Sequence, residues 1–151
     1  MADISSLQLL SIACLGIYTG AMLTEGFLNV PYWRSLPPSE FFSWYAANDR
    51  RLIGYFRPLT SITALVAIAA AITLWWTNHP ARVGATISAV LMALMIVMFF
   101  AIFRAINESF AHASISPAEL PDALERWGRW HEVRIVLSVV ALGASLWPLA
   151  P

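Results

Sequence analysis

The sequence contains no lysine, one cysteine and few ionisable side chains of any kind: 12% of its 151 residues are charged, whereas 59% are hydrophobic. A soluble domain carries about 25% charged residues, so this composition excludes an ordinary water-soluble globule and points to a bilayer as the natural solvent. The formal net charge is zero, which gives no reason to expect a nucleic-acid partner, because such binders concentrate basic charge on one solvated face. Cys14 stands alone within an apolar run; it can form neither an internal disulfide nor a thiolate metal cluster, and packing is its expected role. The start, Met1-Ala2-Asp3, lacks a positive n-region, and Glu25-Gly26-Phe27 stands where a small-residue cleavage site would be sought, so no cleaved signal peptide is expected. Ten-residue segments of alternating polarity are also missing, which argues against a membrane β-barrel.

What is present is a set of long apolar runs. Ile4 to Thr24, Leu59 to Thr77 and Val83 to Phe103 contain no Asp, Glu, Lys, Arg or His, and each approaches the ~20 residues that cross a hydrocarbon layer of ~30 Å as a helix. A fourth run begins at Ile135, preceded by Arg134, whose charged head can snorkel toward the headgroups. The expected fold is all-α: a four-transmembrane-helix bundle forming one integral membrane domain over 1–151, with spans of about 4–28, 57–77, 82–105 and 131–149. The first long connection, "PPSEFFSWYAANDRRLIGYF", opens with a helix start at Pro38-Ser39 and is rich in aromatics, as an interfacial amphipathic helix is. In the second, Ser116-Pro117-Ala118-Glu119 has the capping-box arrangement, and a helical extension is expected to run from there into the fourth span.

The arginines are lopsided. Arg34, Arg50, Arg51 and Arg57 lie between the first and second runs, Arg104, Arg126, Arg129 and Arg134 between the third and fourth, and only Arg82 in the short turn between. The positive-inside rule then makes both long connections cytoplasmic and turns both termini outward. The two connections also share S-[LI]-x-P-x-E-[FL], at Ser35 to Phe41 and Ser114 to Leu120, which suits either a duplicated two-helix unit or shared capping chemistry.

At 100° per residue, Trp127, His131 and Arg134 occupy one helix face, with Arg129 and Glu132 behind. The first helix carries Tyr18, Met22, Glu25 and Asn29 on one stripe, and the third ends in Phe100, Arg104 and Asn107. The topology brings Glu25, Asn29, Asn107, His131 and Arg134 to one depth near the cytoplasmic boundary, where polar stripes turn toward one another and away from lipid. A polar pocket roofed by aromatics is expected. Each member also has a plain structural explanation: His131 as an interfacial hydrogen-bonder, Arg134 as a positive-inside anchor, Arg104 with Glu108 as an i,i+4 pair, and Trp127 and Trp130 as aromatic belt. His79 and His112 lie in connections without a matching partner.

The stretches "NVPYWRSLPPSEFFSWYAANDRR", "IFRAINESF" and "SISPAELPDALERWGRWHEVRIVLSVVAL" resemble the domain-of-unknown-function 1772 family of small four-helix membrane proteins, also called the anthrone oxygenase family. The motif is Asn107 followed by Trp127, Trp130, His131, Val133 and Arg134. The resemblance implies oxidation of an anthrone to an anthraquinone with O2, with neither metal nor flavin, and the loops look like those of bacterial members, which implies the bacterial cytoplasmic membrane. For such chemistry His131 is the expected base and Arg134 the holder of the enolate oxygen. Glu25 or Asn107 would orient the imidazole. Trp127, Trp130 and Phe100, with Tyr18, Met22 and Asn29, would enclose a flat lipid-soluble substrate. No metal site and no cofactor are expected. The alternatives are a quinone- or lipid-binding protein, a haem protein with His131 as axial ligand, and a structural membrane subunit; a homo-oligomer is compatible with all of them.

Overall fold

The computed structural model describes residues 6–147, so the expected outermost ends of the first and fourth spans, residues 4–5 and 148–149, lie outside the described residues. The described chain is all-helical, in four long helices: α1 (Ser6–Ser35), α2 (Pro38–Trp76), α3 (Arg82–Ala111) and α4 (Leu120–Leu146). Three of them, α1, α2 and α3, are long and apolar enough to cross a membrane. Large apolar side chains such as Ile17, Leu65, Ile72, Val90 and Val97 stand exposed on their outer faces, as in helices solvated by lipid.

The expected separate surface helix in the first connection is instead the first half of α2, one uninterrupted helix of 39 residues, about 58 Å long at 1.5 Å per residue. That is nearly twice a hydrocarbon thickness. Charged residues such as Asp49, Arg50 and Arg51 break the apolar run without breaking the helix. Pro58 sits inside it and removes one backbone donor, leaving the Gly54 carbonyl without its i→i−4 partner. The anticipated extension of α4 is observed: the helix starts at Leu120, with Pro121 in its first turn. Before it, Glu119 Oε2 accepts hydrogen bonds from the Ser116 backbone N–H at 2.9 Å and the Ser116 hydroxyl at 2.8 Å. Half of the capping box is therefore made, with the serine hydroxyl donating to the carboxylate.

Two helices end in the same way. After α2, Asn78 takes the left-handed conformation (φ 51°) and the N–H groups of Asn78 and His79 bond to the carbonyls of Trp75 and Leu74. After α3, Ala113 does so (φ 48°), with Ala113 and Ser114 bonding to Phe110 and Ser109. Both are Schellman closures that satisfy the last carbonyls.

Neighbouring helices run antiparallel and approach closely where side chains are small. Buried Ala64, Ala67, Ala70 and Ala71 line α2, and Ala85, Ser88 and Ala89 line α3, the composition that lets membrane helices approach. The Ser88 hydroxyl donates to the Ala141 carbonyl of α4 at 2.6 Å, and the Thr19 hydroxyl of α1 to the Ser138 carbonyl at 3.2 Å. The core divides into two parts. One holds Leu15, Tyr18, Met22, Ala64, Ala67 and Ala71 of α2, Met92 and Met95; the other is aromatic, built from Trp33, Phe41, Tyr45, Phe103, Phe110 and Trp127.

Helices α1 and α3 each contain one π turn, at Glu25–Asn29 and Phe99–Phe103. An i→i+5 turn adds a residue to the helical repeat, so the side chains beyond it change face relative to a continuous α-helix. Each half of the chain thus consists of a helix with a π turn, a short connection spanned by the shared motif, which in the first half runs on into α2, and a second helix.

Candidate functional site

Between the two parts of the core lies a cluster of buried polar side chains. Glu25 is 5% exposed, His131 1% and Arg134 7%. The α4 stripe read from helical periodicity holds, since Trp127, His131 and Arg134 face inward while Arg129 and Glu132 are exposed, and the structure adds Ser138 one turn further on.

His131 Nε2 lies 3.0 Å from the Met22 carbonyl. A carbonyl only accepts, so Nε2 carries a proton and donates it there. Nδ1 is left as the atom whose protonation can change. It has no hydrogen-bond partner and lies 3.7 Å from Glu25 Oε2, outside hydrogen-bond range but within ion-pair range. The imidazole is held on one face by Trp127, whose ring stacks on it at 4.9 Å and 18°. Trp127 is fixed in turn: its Nε1–H donates to Asn107 Oδ1 at 2.8 Å, and Trp33 and Phe103 meet it edge-on at 5.3 and 5.4 Å. Asn107 therefore reaches His131 through the tryptophan and makes no hydrogen bond to the imidazole.

Gly26 belongs to the same arrangement. A Cβ there would stand 2.6 Å from Ile135 Cδ1 and 3.4 Å from His131 Cδ2. Only a glycine leaves α1 this close to His131 without displacing a neighbour.

Arg134 is a buried cation with weak partners. Its Nη2 approaches the Tyr18 hydroxyl at 3.4 Å, its guanidinium carbon lies 4.6 Å from the centre of the Phe103 ring, and Nε has no hydrogen-bond partner. Among the described residues no carboxylate lies within 4 Å of it. A charge removed from water in this way needs compensation, and Glu25, when ionised, is the group in the cluster that can supply the opposite sign. The partly unsatisfied groups are notable because buried polar atoms are nearly always bonded.

The open space is elsewhere. A cleft of about 520 Å³ lies between α1 and α2, lined on the α1 side by Gly20, Ala21, Thr24, Glu25 and Asn29, and on the α2 side by residues that include Trp44, Asn48, Arg51 and Tyr55. The expected position among α1, α3 and α4 holds the packed cluster instead. Glu25 belongs to both, forming part of the cleft wall on one side and facing His131 on the other. Tyr18 and Met22 are fully buried in the cluster, and Asn29 lines the cleft. Phe100 and Trp130 are 61% and 41% exposed and are not brought into either. Trp127 is packed against His131 and does not line the cleft.

Sequence reasoning missed Trp44, Asn48, Arg51 and Tyr55. Their spacing, i, i+4, i+7 and i+11, is that of a single helix face, so the signal was present in a segment read as a surface helix. His79 and His112 are engaged locally: His79 Nδ1 accepts the Ala81 N–H at 3.1 Å, and His112 Nδ1 lies 2.9 Å from the Glu108 carbonyl. The Arg104–Glu108 pair forms at 3.0 Å. Among the described residues no three His, Cys, Asp or Glu side chains converge as metal ligands would.

The sequence profile of the anthrone oxygenase family matches residues 41–144. That segment contains α3, nearly all of α2 and most of α4, with Asn48, Arg51, Asn107, Trp127, His131 and Arg134, and begins after Glu25. Comparison with curated proteins and with solved structures returns no match. The chain belongs to the anthrone oxygenase family.

Proposed function

We propose that this member of the anthrone oxygenase family is a membrane-embedded oxygenase, which uses O2 to oxidise a flat, lipid-soluble, anthrone-like ketone held in the cleft between α1 and α2. The observation that carries the reading is the double position of Glu25, on the cleft wall and against the buried His131.

An anthrone has a CH2 flanked by two aromatic rings and conjugated with a carbonyl, so loss of one proton gives an electron-rich enolate. In the proposed sequence the Glu25 carboxylate takes and keeps that proton, and the neutral His131, whose Nδ1 lies behind it, holds the carboxyl in position. The Met22 carbonyl and the stacked Trp127 hold the imidazole in the orientation this contact needs. Arg134 serves as a fixed positive charge offsetting the negative charge that develops as the proton leaves. This differs from direct grip of the enolate oxygen, for which the cleft-lining Asn29 and Asn48 are better situated.

The enolate then passes one electron to O2, and the resulting radical and superoxide combine to form a C–O bond. The peroxide takes up the stored proton. Loss of the second C–H proton with cleavage of the O–O bond gives the new carbonyl and water, so that anthrone plus O2 yields anthraquinone plus water. Both reactants partition into lipid, which suits a cleft bordered by membrane helices.

The reading includes four spans, with both long connections cytoplasmic. Support for the fourth span comes from α4 itself, which packs against α1 and α3 and exposes Val133, Val136, Val139 and Val140 on its outer face. A haem reading is not favoured, because the one unengaged ring nitrogen, His131 Nδ1, faces Glu25 Oε2 at 3.7 Å inside a packed cluster where the imidazole is 1% exposed. Quinone or lipid binding remains the competing use of the cleft.

The test is O2 uptake and anthraquinone appearance from a synthetic anthrone, with purified protein in lipid nanodiscs. Equal amounts of both are expected, falling about 10²-fold or more in folded Glu25→Gln protein. Tight binding without turnover above buffer would support a binding protein instead.

A further inference from the structure

We infer that the mouth of the cleft selects aromatic ligands that carry an ionised acidic substituent, and that Arg51 reads that substituent. The inference rests on the cleft being the ligand site and adds which aromatics it takes and which way round.

The two ends of the cleft differ in charge and depth. Glu25 lies on its buried side, 5% exposed, whereas Arg51 is an exposed member of its wall. No second arginine lines it: Arg134 is buried behind Glu25, and the neighbouring Arg50 and Arg57 do not border the cleft. Among the described residues Arg51 makes no ion pair with a carboxylate. Its fork of donors is therefore free to meet a carboxylate in the planar, two-point geometry that arginine favours. Asn48, one turn away on the same face, spends one side-chain N–H on the Trp44 carbonyl at 2.8 Å, which fixes the amide beside Arg51. Trp44 and Tyr55 stand at the two ends of this stripe, giving aromatic surface on either side of the cation.

This polarity also sets orientation. An anionic group is repelled by a carboxylate at the buried end and attracted by a guanidinium at the mouth, so the acid stays outside and the uncharged reactive CH2 is delivered to Glu25. A lipid phosphate would need only an exposed cation, which Arg50 and Arg57 already offer. Arg51 is the one turned onto the cleft.

The experiment compares two probes that cannot be oxidised as anthrones, anthraquinone-2-carboxylate and its neutral 2-carboxamide. Binding to protein in phosphatidylcholine nanodiscs is measured against empty nanodiscs. The wild type is expected to prefer the carboxylate by roughly five- to tenfold, the range of a partly solvated charge-assisted contact. Arg51→Gln should bring the ratio near one, and Arg50→Gln should leave it unchanged. Equal binding of the two probes by wild type, a preference surviving Arg51→Gln, or equal sensitivity to Arg50→Gln would overturn the inference. Because neither probe turns over, a protein that shows the Arg51-dependent preference yet oxidises no anthrone would retain this inference and refute the oxygenase reading.

Discussion

Replacing Asn107 by leucine isolates the link that holds the imidazole. The change removes the acceptor of the Trp127 indole N–H, a 2.8 Å hydrogen bond, at a tryptophan 2% exposed and packed between His131, Phe103 and Trp33. A buried donor left without an acceptor costs about 1–3 kcal/mol, and a low-polarity membrane interior favours the upper half of that range. Trp127→Phe also removes the stacked indole and leaves a partial void, for which a few kcal/mol is expected. In the double variant no stranded donor remains, so the two costs should not add. The shortfall should be about 1 kcal/mol or more, as for residues in direct contact. The assay is thermal unfolding of the four proteins in one detergent, at one scan rate, converted to free-energy differences. Strict additivity would refute the hydrogen bond as the coupling. A second readout separates packing from positioning: ring-current-shifted His131 proton resonances should move toward ordinary values in Asn107→Leu, and no shift would mean that Asn107 does not position the imidazole.

Other perturbations have defined outcomes. Gly26→Ala drives a methyl into Ile135 Cδ1 at 2.6 Å and should destabilise by about 1–2 kcal/mol; Ile135→Val, which deletes that atom, should restore much of the loss in thermal unfolding. Ala113→Gly relieves a left-handed residue at φ 48° and should raise the melting temperature by a degree or more, since the relief of about 1 kcal/mol slightly exceeds the entropic penalty, whereas Ala113→Val should lower it. Hydrogen bonds from the Ser116 backbone and hydroxyl hold the Glu119 carboxyl below its ordinary value. The folded-state value is depressed, so its stabilising contribution is present above the unfolded value and is lost as pH falls through the lower folded one. An acid melting profile should therefore show a drop in that window that Glu119→Ala lacks.

The inward face of α4 is legible in the sequence because Trp127, His131 and Arg134 sit on an uninterrupted α-helix, where 100° per residue is a sound rule. The same arithmetic slipped on α3. Phe100, Arg104 and Asn107 share a face on a continuous α-helix, but the π turn at Phe99–Phe103 adds a residue, so Phe103 takes the inward place and Phe100 points outward. In α1, Glu25 opens the π turn and Asn29 closes it, and both line the cleft wall. No sequence signal marks a π turn. The long α2 was obscured for a different reason: hydropathy registers where a helix leaves lipid, and Arg50 and Arg51 end the apolar run while the helix continues. With α2 divided, its polar face at Trp44, Asn48, Arg51 and Tyr55 could not be set opposite Glu25. The arginine distribution, by contrast, bears on orientation and leaves the internal packing undetermined.

Removal of a proton from a carbon acid in the cleft by Glu25, held by His131, can be measured apart from oxygen chemistry. Under strict anaerobiosis in D2O, deuterium incorporation at the CH2 of a synthetic anthrone is followed by NMR with nanodisc-embedded protein. Exchange well above that of empty nanodiscs is expected, lost in Glu25→Gln and strongly reduced in His131→Gln, with both variants folded. Exchange at the empty-nanodisc rate by wild-type protein that binds the anthrone, or full exchange by Glu25→Gln, would contradict it.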